Sequence, residues 1–223
     1  MYYHFPKGII VIFGNVENQD RKKDLIIDAA LKRFAHFGLS KTTMTEIAND
    51  LSLSKALLYY YFPDKISLYS AVLKNIIETM DAEMRKDVGS ATNSHDALKK
   101  CLDKRQAFIS KYYNLLDFTK ITGTELPGNL MCMFVKAKDS ELTVLKTVLE
   151  IGISAGEFKV DDLDETAALL KDALSGIYFT VLKRHTKGFL PEKEQFDSIL
   201  SRQKKLGEIF LKGLEVRTVS EIS

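Results

Sequence analysis

Thr43-Met44-Thr45-Glu46-Ile47-Ala48, followed by Leu53-Ser54-Lys55-Ala56-Leu57-Leu58-Tyr59-Tyr60-Tyr61-Phe62, is the stretch that decides the fold. Thr43 and Glu46 stand in the Thr-x-x-Glu register of a capping box, in which each residue satisfies a free backbone amide of the other. A helix therefore starts at Thr43 and runs to about Leu51. Ser54 is a good N-cap for the next helix, which must close before Pro63 because the proline ring drives Phe62 out of helical geometry. Two short helices joined by a tight turn, the second bearing a lysine and tyrosines, have the layout of a helix that enters the DNA major groove.

Upstream, Ile26, Ala30, Phe34 and Phe37 recur at helical spacing over Arg21 to Phe37, and Gly38 is a natural stop. Phe34, Ile47, Ala48, Leu53, Leu58 and Phe62 are then the core of a three-helix head. Asp64 caps a fourth, longer helix through Leu68, Val72, Ile76 and Met80. Residues 1–20 read as an N-terminal arm, strand-like or poorly ordered. The apolar run Ile9 to Phe13 is shorter than the ~7–15 residues of a secretory leader, and no stretch is long and apolar enough to span a bilayer. A cytoplasmic protein without membrane partners is the expectation.

Downstream, Gly89 to Ser94 is a polar break. Helical periodicity returns over Asp96 to about Leu116, over Leu130 to Ala155 with Lys138-Asp139 as a candidate interruption, and from Asp161 through Val181. Thr122 to Asn129, Gly156, and Gly188 with Pro191 punctuate these segments. The last helix carries Phe196, Ile199, Leu200, Gln203, Leu206, Gly207, Phe210, Gly213 and Leu214 on a stripe broad enough to face both its own core and a second chain. Ser175-Gly176, Gly207 and Gly213 would allow close helix approach. The reading is all-α: an arm (1–20), a helix-turn-helix domain (21–66) and a helical ligand-binding and dimerisation body (67–223).

Composition excludes several classes. Among the 223 residues 45% are hydrophobic and 28% charged, which is ordinary for a globular protein. The net charge is only +2, and Met1 to Lys65 holds nine Lys/Arg against seven Asp/Glu. Nucleic-acid affinity must therefore come from placed contacts rather than bulk charge. Cys101 and Cys132 form neither a metal pattern nor a disulfide framework. His4, His36, His95 and His185 are scattered, and there is no nucleophile elbow or phosphate loop. No cofactor, metal or catalytic set is expected, and the chain is not read as an enzyme.

As a set, these residues resemble the TetR family of bacterial transcriptional regulators. The likeness runs from Ile27-Asp28-Ala29-Ala30-Leu31 through Phe34-Ala35 and Phe37-Gly38, Thr42 to Ala48, Ser54-Lys55, and Leu58 to Lys65, about the first quarter of the chain. Ala155-Gly156-Glu157-Phe158 is a weaker echo in the body. The resemblance implies a homodimer whose heads read halves of a palindromic double-stranded operator, acting as a repressor that a small-molecule effector releases. Thr43 and Thr45 would then meet phosphates, and Ser54, Lys55, Ala56 and Leu57 would face base edges. Tyr59 and Tyr60 would touch the backbone or groove wall, with Lys65 anchoring a phosphate. Ser52 stands where the family turn usually has glycine, at a cost of about 1 kcal/mol if its backbone is left-handed. Leu57 stands where a smaller or polar residue is common.

For the body, the aromatic and sulfur-bearing Phe108, Tyr112, Phe118, Met131, Phe134, Tyr178 and Phe179 are candidate linings for a mostly apolar ligand. A helical protein-interaction regulator that does not act through sequence-specific DNA is the alternative that Leu57 and the near-neutral head leave open.

Overall fold

Nine helices account for nearly all of the residues described in the computed structural model, which are 7–116, 128–185 and 193–215. They are α1 (Lys7–Lys41), α2 (Met44–Asp50), α3 (Lys55–Tyr61), α4 (Lys65–Gly89), α5 (Ser94–Lys111), α6 (Tyr113–Leu116), α7 (Gly128–Ser154), α8 (Leu163–His185) and α9 (Lys193–Leu214). Among the described residues the only extended pairing is a single antiparallel bridge between Phe158 and Glu215. The fold is all-α. The chain divides into two compact units, Met1–Asn75 and Ile76–Ser223, with the division inside α4.

In the first unit, α1 begins well before Arg21. The segment from Lys7 to Asp20 is helical, not strand-like. Its apolar run has β-forming residues, but no proline interrupts the chain between Lys7 and the strongly helical segment beyond Arg21, so the helix propagates upstream. Gly38, at φ 77°, breaks it as the sequence predicts, since only glycine adopts that conformation freely. Ile26, Ala30 and Phe34 of α1 are buried with Ile47 and Ala48 of α2, Leu58 and Phe62 around α3, and Leu68, Tyr69 and Val72 of α4. Leu53 is half-buried. The Phe34 and Tyr69 rings meet edge to face at 5.3 Å. Phe37 departs from the periodic pattern and is 50% exposed, under the Arg33 guanidinium.

The second unit is a bundle in which α5 packs on α7 and α9, and α8 packs on α7 and α9. Its core joins Met84 and Val88 of α4, Leu98 and Leu102 of α5, Val148 and Leu149 of α7, and Leu170 and Leu174 of α8. Helix α5 stops at Tyr112 and restarts as the single turn α6, whereas periodicity alone ran it unbroken to Leu116. Conversely, α7 continues through Lys138-Asp139 without interruption. Gly156, at φ 72°, closes the connection after α7. The next two residues turn inward. Glu157 accepts hydrogen bonds from the Ser94 amide and hydroxyl at the start of α5, and Phe158 is buried over Gly152.

Candidate functional site

The site is built on the α2–turn–α3 segment. The capping box forms in full: the Glu46 amide donates to Thr43 Oγ1 (3.3 Å), and the Thr43 amide and hydroxyl both donate to Glu46 Oε2 (2.8 Å each). Thr43 thus spends both its donors inside the protein, and it acts by fixing where α2 begins. Thr45, the second residue of α2, is exposed. Arg33 of α1 grips the Asp50 carboxylate with Nε and Nη2, the latter at 2.7 Å from Oδ1, and reaches Glu46 at 3.5 Å. The guanidinium hydrogen bond holds the Asp50 carboxyl below its ordinary range, and the Thr43 hydrogen bonds do the same for Glu46. This α1–α2 clasp escapes sequence reading, because no spacing rule couples two residues on different helices.

Ser52 carries the turn at φ 53°, the left-handed conformation that the missing glycine demands. Leu53 closes the turn by donating from its amide to the Ala48 carbonyl at 2.9 Å. Ser54 then accepts from the Leu57 amide (3.2 Å) as N-cap of α3. The helix is sharply two-sided. Leu58 and Phe62 point into the core, while Lys55, Ala56, Tyr59 (40% exposed) and Tyr60 (70% exposed) point out. Leu57 is half-buried between these faces. Lys55 Nζ lies 5.8 Å from the Tyr59 ring centroid, and Tyr60 stacks edgewise on Tyr61 at 5.3 Å. A seven-residue helix thus offers a cation, a small residue and two phenols on one side.

Lys65, at the start of α4, is half-buried and donates to the Leu39 (2.9 Å) and Thr42 (3.0 Å) carbonyls. Two of its three ammonium donors therefore latch the α1–α2 connection. The buried Thr42 hydroxyl donates to the Gly38 carbonyl (2.9 Å) in the same connection. Asp64 caps α4 by accepting from the Ser67 amide (2.7 Å), which keeps its carboxyl below the ordinary range.

In the second unit, Phe108 and Tyr112 come together, their rings edge to face at 4.9 Å. They line a cavity of about 180 Å³ with Ile76, Thr79 and Met80 of α4. Of the other predicted lining residues, Tyr178 and Phe179 are not among those that line this cavity. Tyr178 is half-buried on α8, its phenol pushed up to about 12 by desolvation, so it stays neutral. Phe179 is 55% exposed and faces away from the bundle. Phe118 lies outside the described residues, as do the side chains of Met131 and Phe134. A larger cavity, about 440 Å³, lies between α5 and α9, floored by Leu98, Leu102 and Leu211 and rimmed by charged side chains. Periodicity also misses a polar chain through the bundle: Glu141 pairs with Arg105, Arg105 donates to Gln203 (2.7 Å), and buried Gln203 donates to the Leu174 carbonyl (2.9 Å).

Among the described residues no three metal-ligating side chains cluster, and no helix is long and apolar enough to cross a membrane. Cys101 is buried, its thiol pushed up to about 11 by desolvation. It behaves as a small hydrophobe.

Comparison with known proteins agrees with this geometry. Residues 26–72 match the family model for bacterial regulatory proteins of the tetR family. The chain is 24% identical to the HTH-type transcriptional regulator SrpR of Pseudomonas putida over 74% of its own length and 76% of that protein. It is 31% identical, over 48% of its length and 59% of the relative, to IcaR of Staphylococcus aureus, the negative transcriptional regulator of the biofilm operon icaADBC. The crystal structure of a transcriptional regulator from Cytophaga hutchinsonii superposes with a TM-score of 0.76 at 34% identity, covering 87% of this chain and 99% of that one. The chain belongs to the TetR family, and it is a helix-turn-helix DNA-binding transcriptional regulator rather than an enzyme.

Proposed function

We propose that this regulator is a ligand-responsive repressor of the cytoplasm, which binds a palindromic duplex operator as a homodimer and leaves it when a small, mostly apolar effector occupies the body. The observation that carries the reading is the outward face of α3, where Lys55, Ala56, Tyr59 and Tyr60 stand clear of the core that Leu58 and Phe62 fill. In this reading Ser54, Lys55, Ala56 and Leu57 meet base edges, with Leu57 confined to apolar contact such as a thymine methyl. Thr45, Tyr59 and Tyr60 meet the sugar-phosphate backbone. Thr43 acts through the cap, and the remaining donor of Lys65 reaches a phosphate. Repression is the direction printed in the name of the IcaR relative.

The effector site favoured here is the cavity of Phe108 and Tyr112, because it combines aromatic walls with side chains of α4, the helix shared with the reading unit. At about 180 Å³ it lies below the ~300–1,000 Å³ of drug-sized pockets, so its occupant is compact. For the dimer, Leu169, Gly176 and Phe179 are exposed on one face of α8, and Ile209 and Gly213 are exposed on α9. A two-fold contact across these faces would give the symmetry a palindrome requires.

Selection from a pool of random duplexes, followed by titration of the full-length protein against the enriched sequence and the DNA upstream of its own gene, tests the reading. Enrichment of a palindrome bound by two chains is expected. If no sequence is enriched and the upstream DNA is not bound, the operator reading is wrong.

A further inference from the structure

The cavity favoured for the effector lies between two matching stripes. Helix α4 contributes Ile76, Met80 and Glu83, and α5 contributes Lys104, Phe108 and Lys111, each set spaced so that it shares one helix face. The apolar walls are open in part, since Met80, Phe108 and Tyr112 are all half-buried. Three charged side chains line the cavity: Glu83, Lys104 and Lys111. Two of them are spent on each other. Lys104 Nζ sits 3.1 Å from the Glu83 carboxylate and 2.9 Å from that of Asp87, which closes one end with a tie between α4 and α5. Lys111, about two turns further along α5, has no ion-pair partner among the described residues. Its ammonium is placed against the aromatic wall, 5.0 Å from the Tyr112 ring centroid. An apolar surface and one uncompensated positive charge thus stand side by side.

We infer that this cavity takes a compact carboxylate, whose acid group pairs with Lys111 while its apolar body lies on Met80, Phe108 and Tyr112. The inference rests on the effector reading above and deepens it by naming the chemical class of the effector. Charge complementarity selects the anion. An ammonium ligand would find the aromatic rings it prefers. Glu83, however, is already held by Lys104, and Lys111 stands over Tyr112, so a cation would be repelled on entry. A neutral ligand gains only from the walls. A carboxylate gains from both, because a charge-assisted hydrogen bond is roughly twice as strong as a neutral one. Size sets the rest of the class. A cavity of about 150 Å³ holds benzene, so about 180 Å³ suits an acid built on one ring or a short alkyl chain. Lys111 is exposed, so salt screens the pair and the advantage of the acid shrinks as ionic strength rises.

Isothermal titration of the full-length protein with matched probes tests this. The probes are the carboxylates hexanoate, benzoate and phenylacetate, their neutral amides, and the amines hexylamine, benzylamine and phenethylamine. At least one carboxylate is expected to bind once per chain and about 10-fold tighter than its amide at about 0.1 M salt. That advantage should disappear at about 1 M salt. K111Q should bring acid and amide together, and K111R should keep them apart. K99Q removes an exposed lysine elsewhere on α5 and should behave as wild type. Amides or amines that bind as tightly as the acids overturn the carboxylate class and leave the cavity as the effector site. An acid preference that survives K111Q, or that K99Q removes equally, overturns the assignment to Lys111. F108L should weaken acid and amide alike. Binding indifferent to F108L, or no binding by any probe, overturns the cavity as the site, and the inference with it. A carboxylate that binds through Lys111 and Phe108 yet leaves the operator complex intact overturns the effector reading alone.

Discussion

The two units differ in the reach of their polar side chains. In the reading unit the helix caps are local and close to the surface, and its longer ties, Arg33 to Asp50 and Lys65 to Leu39, span 17 and 26 positions. Thr43 with Glu46, Ser54 with Leu57, and Asp64 with Ser67 each span three residues. In the body the polar groups run between distant helices, with Arg105 and Gln203 separated by 98 positions and Ser94 and Glu157 by 63. The first arrangement sets where short helices begin, so that a small outer face is presented in one orientation. The second holds a bundle together around its interior. The difference teaches that precision in the head comes from caps and turns, while coherence in the body comes from non-local packing and polar ties.

The largest effect expected is from Phe34→Ala. This ring is fully buried against Tyr69, and its loss should cost about 3–5 kcal/mol. Hydrogen exchange should show the loss in α1 to α3, with protection of α8 and α9 held at wild-type levels. Equal deprotection of α8 and α9 would break the distinction between the units.

Two glycines sharpen the description of the body. A Cβ at Gly207 would press into the Leu98 side chain of α5, while one at Gly176 meets open space. Gly207→Ala should therefore destabilise by about 1–3 kcal/mol, whereas Gly176→Ala should stabilise the isolated helix by about 0.5–1 kcal/mol. Thermal denaturation measures both. Gly207 provides the close helix approach that its place in the stripe predicts, here between α9 and α5 of the same bundle. If the proposed dimer instead dissociates at a higher protein concentration in Gly176→Ala, the outer face of α8 is the surface that meets the second copy.

Lys65 asks whether a residue of the reading unit serves the fold or the DNA. Its two carbonyl hydrogen bonds make Lys65→Ala destabilising by about 1–3 kcal/mol. If its third donor also anchors a phosphate, the salt slope of binding falls by about 0.9. A stability loss with an unchanged slope assigns Lys65 to the latch alone.

What was legible in the sequence follows the same division. The Thr43–Glu46 box, the Ser54 and Asp64 caps and the Gly38 stop depend on residues at most four apart, so pattern reading finds them. The left-handed turn at Ser52 was anticipated from the resemblance, which places a glycine there. The Arg33 clasp, the Lys65 latch and the Gln203 tie join distant positions through the tertiary fold, and no local pattern encodes them. The lining of the body was least legible. Periodicity places Phe108 and Tyr178 alike on helices, but only packing decides that Phe108 meets a cavity while Phe179, next to Tyr178, faces outward.

The smallest effect tests the clasp by pH. Both Asp50 and Glu46 have carboxyl groups held below their ordinary range, Asp50 by the Arg33 hydrogen bonds and Glu46 by Thr43. In the unfolded chain these groups titrate near 4. A group whose folded pKa is depressed contributes stability that is complete above its unfolded pKa and is lost as pH falls through the folded value. Between pH 5 and 8 the contribution is therefore flat, and it disappears only in acid. Asp50→Asn removes the Asp50 part at every pH. The gap in denaturation midpoint between wild type and this variant should be constant from pH 8 to 5 and close as the pH drops below 4. Because both carboxylates sit at the surface, water and salt screen the pair, and the gap should also narrow in high salt. A gap still unchanged at about pH 2 would mean that the charge of Asp50 is not what its contribution rests on.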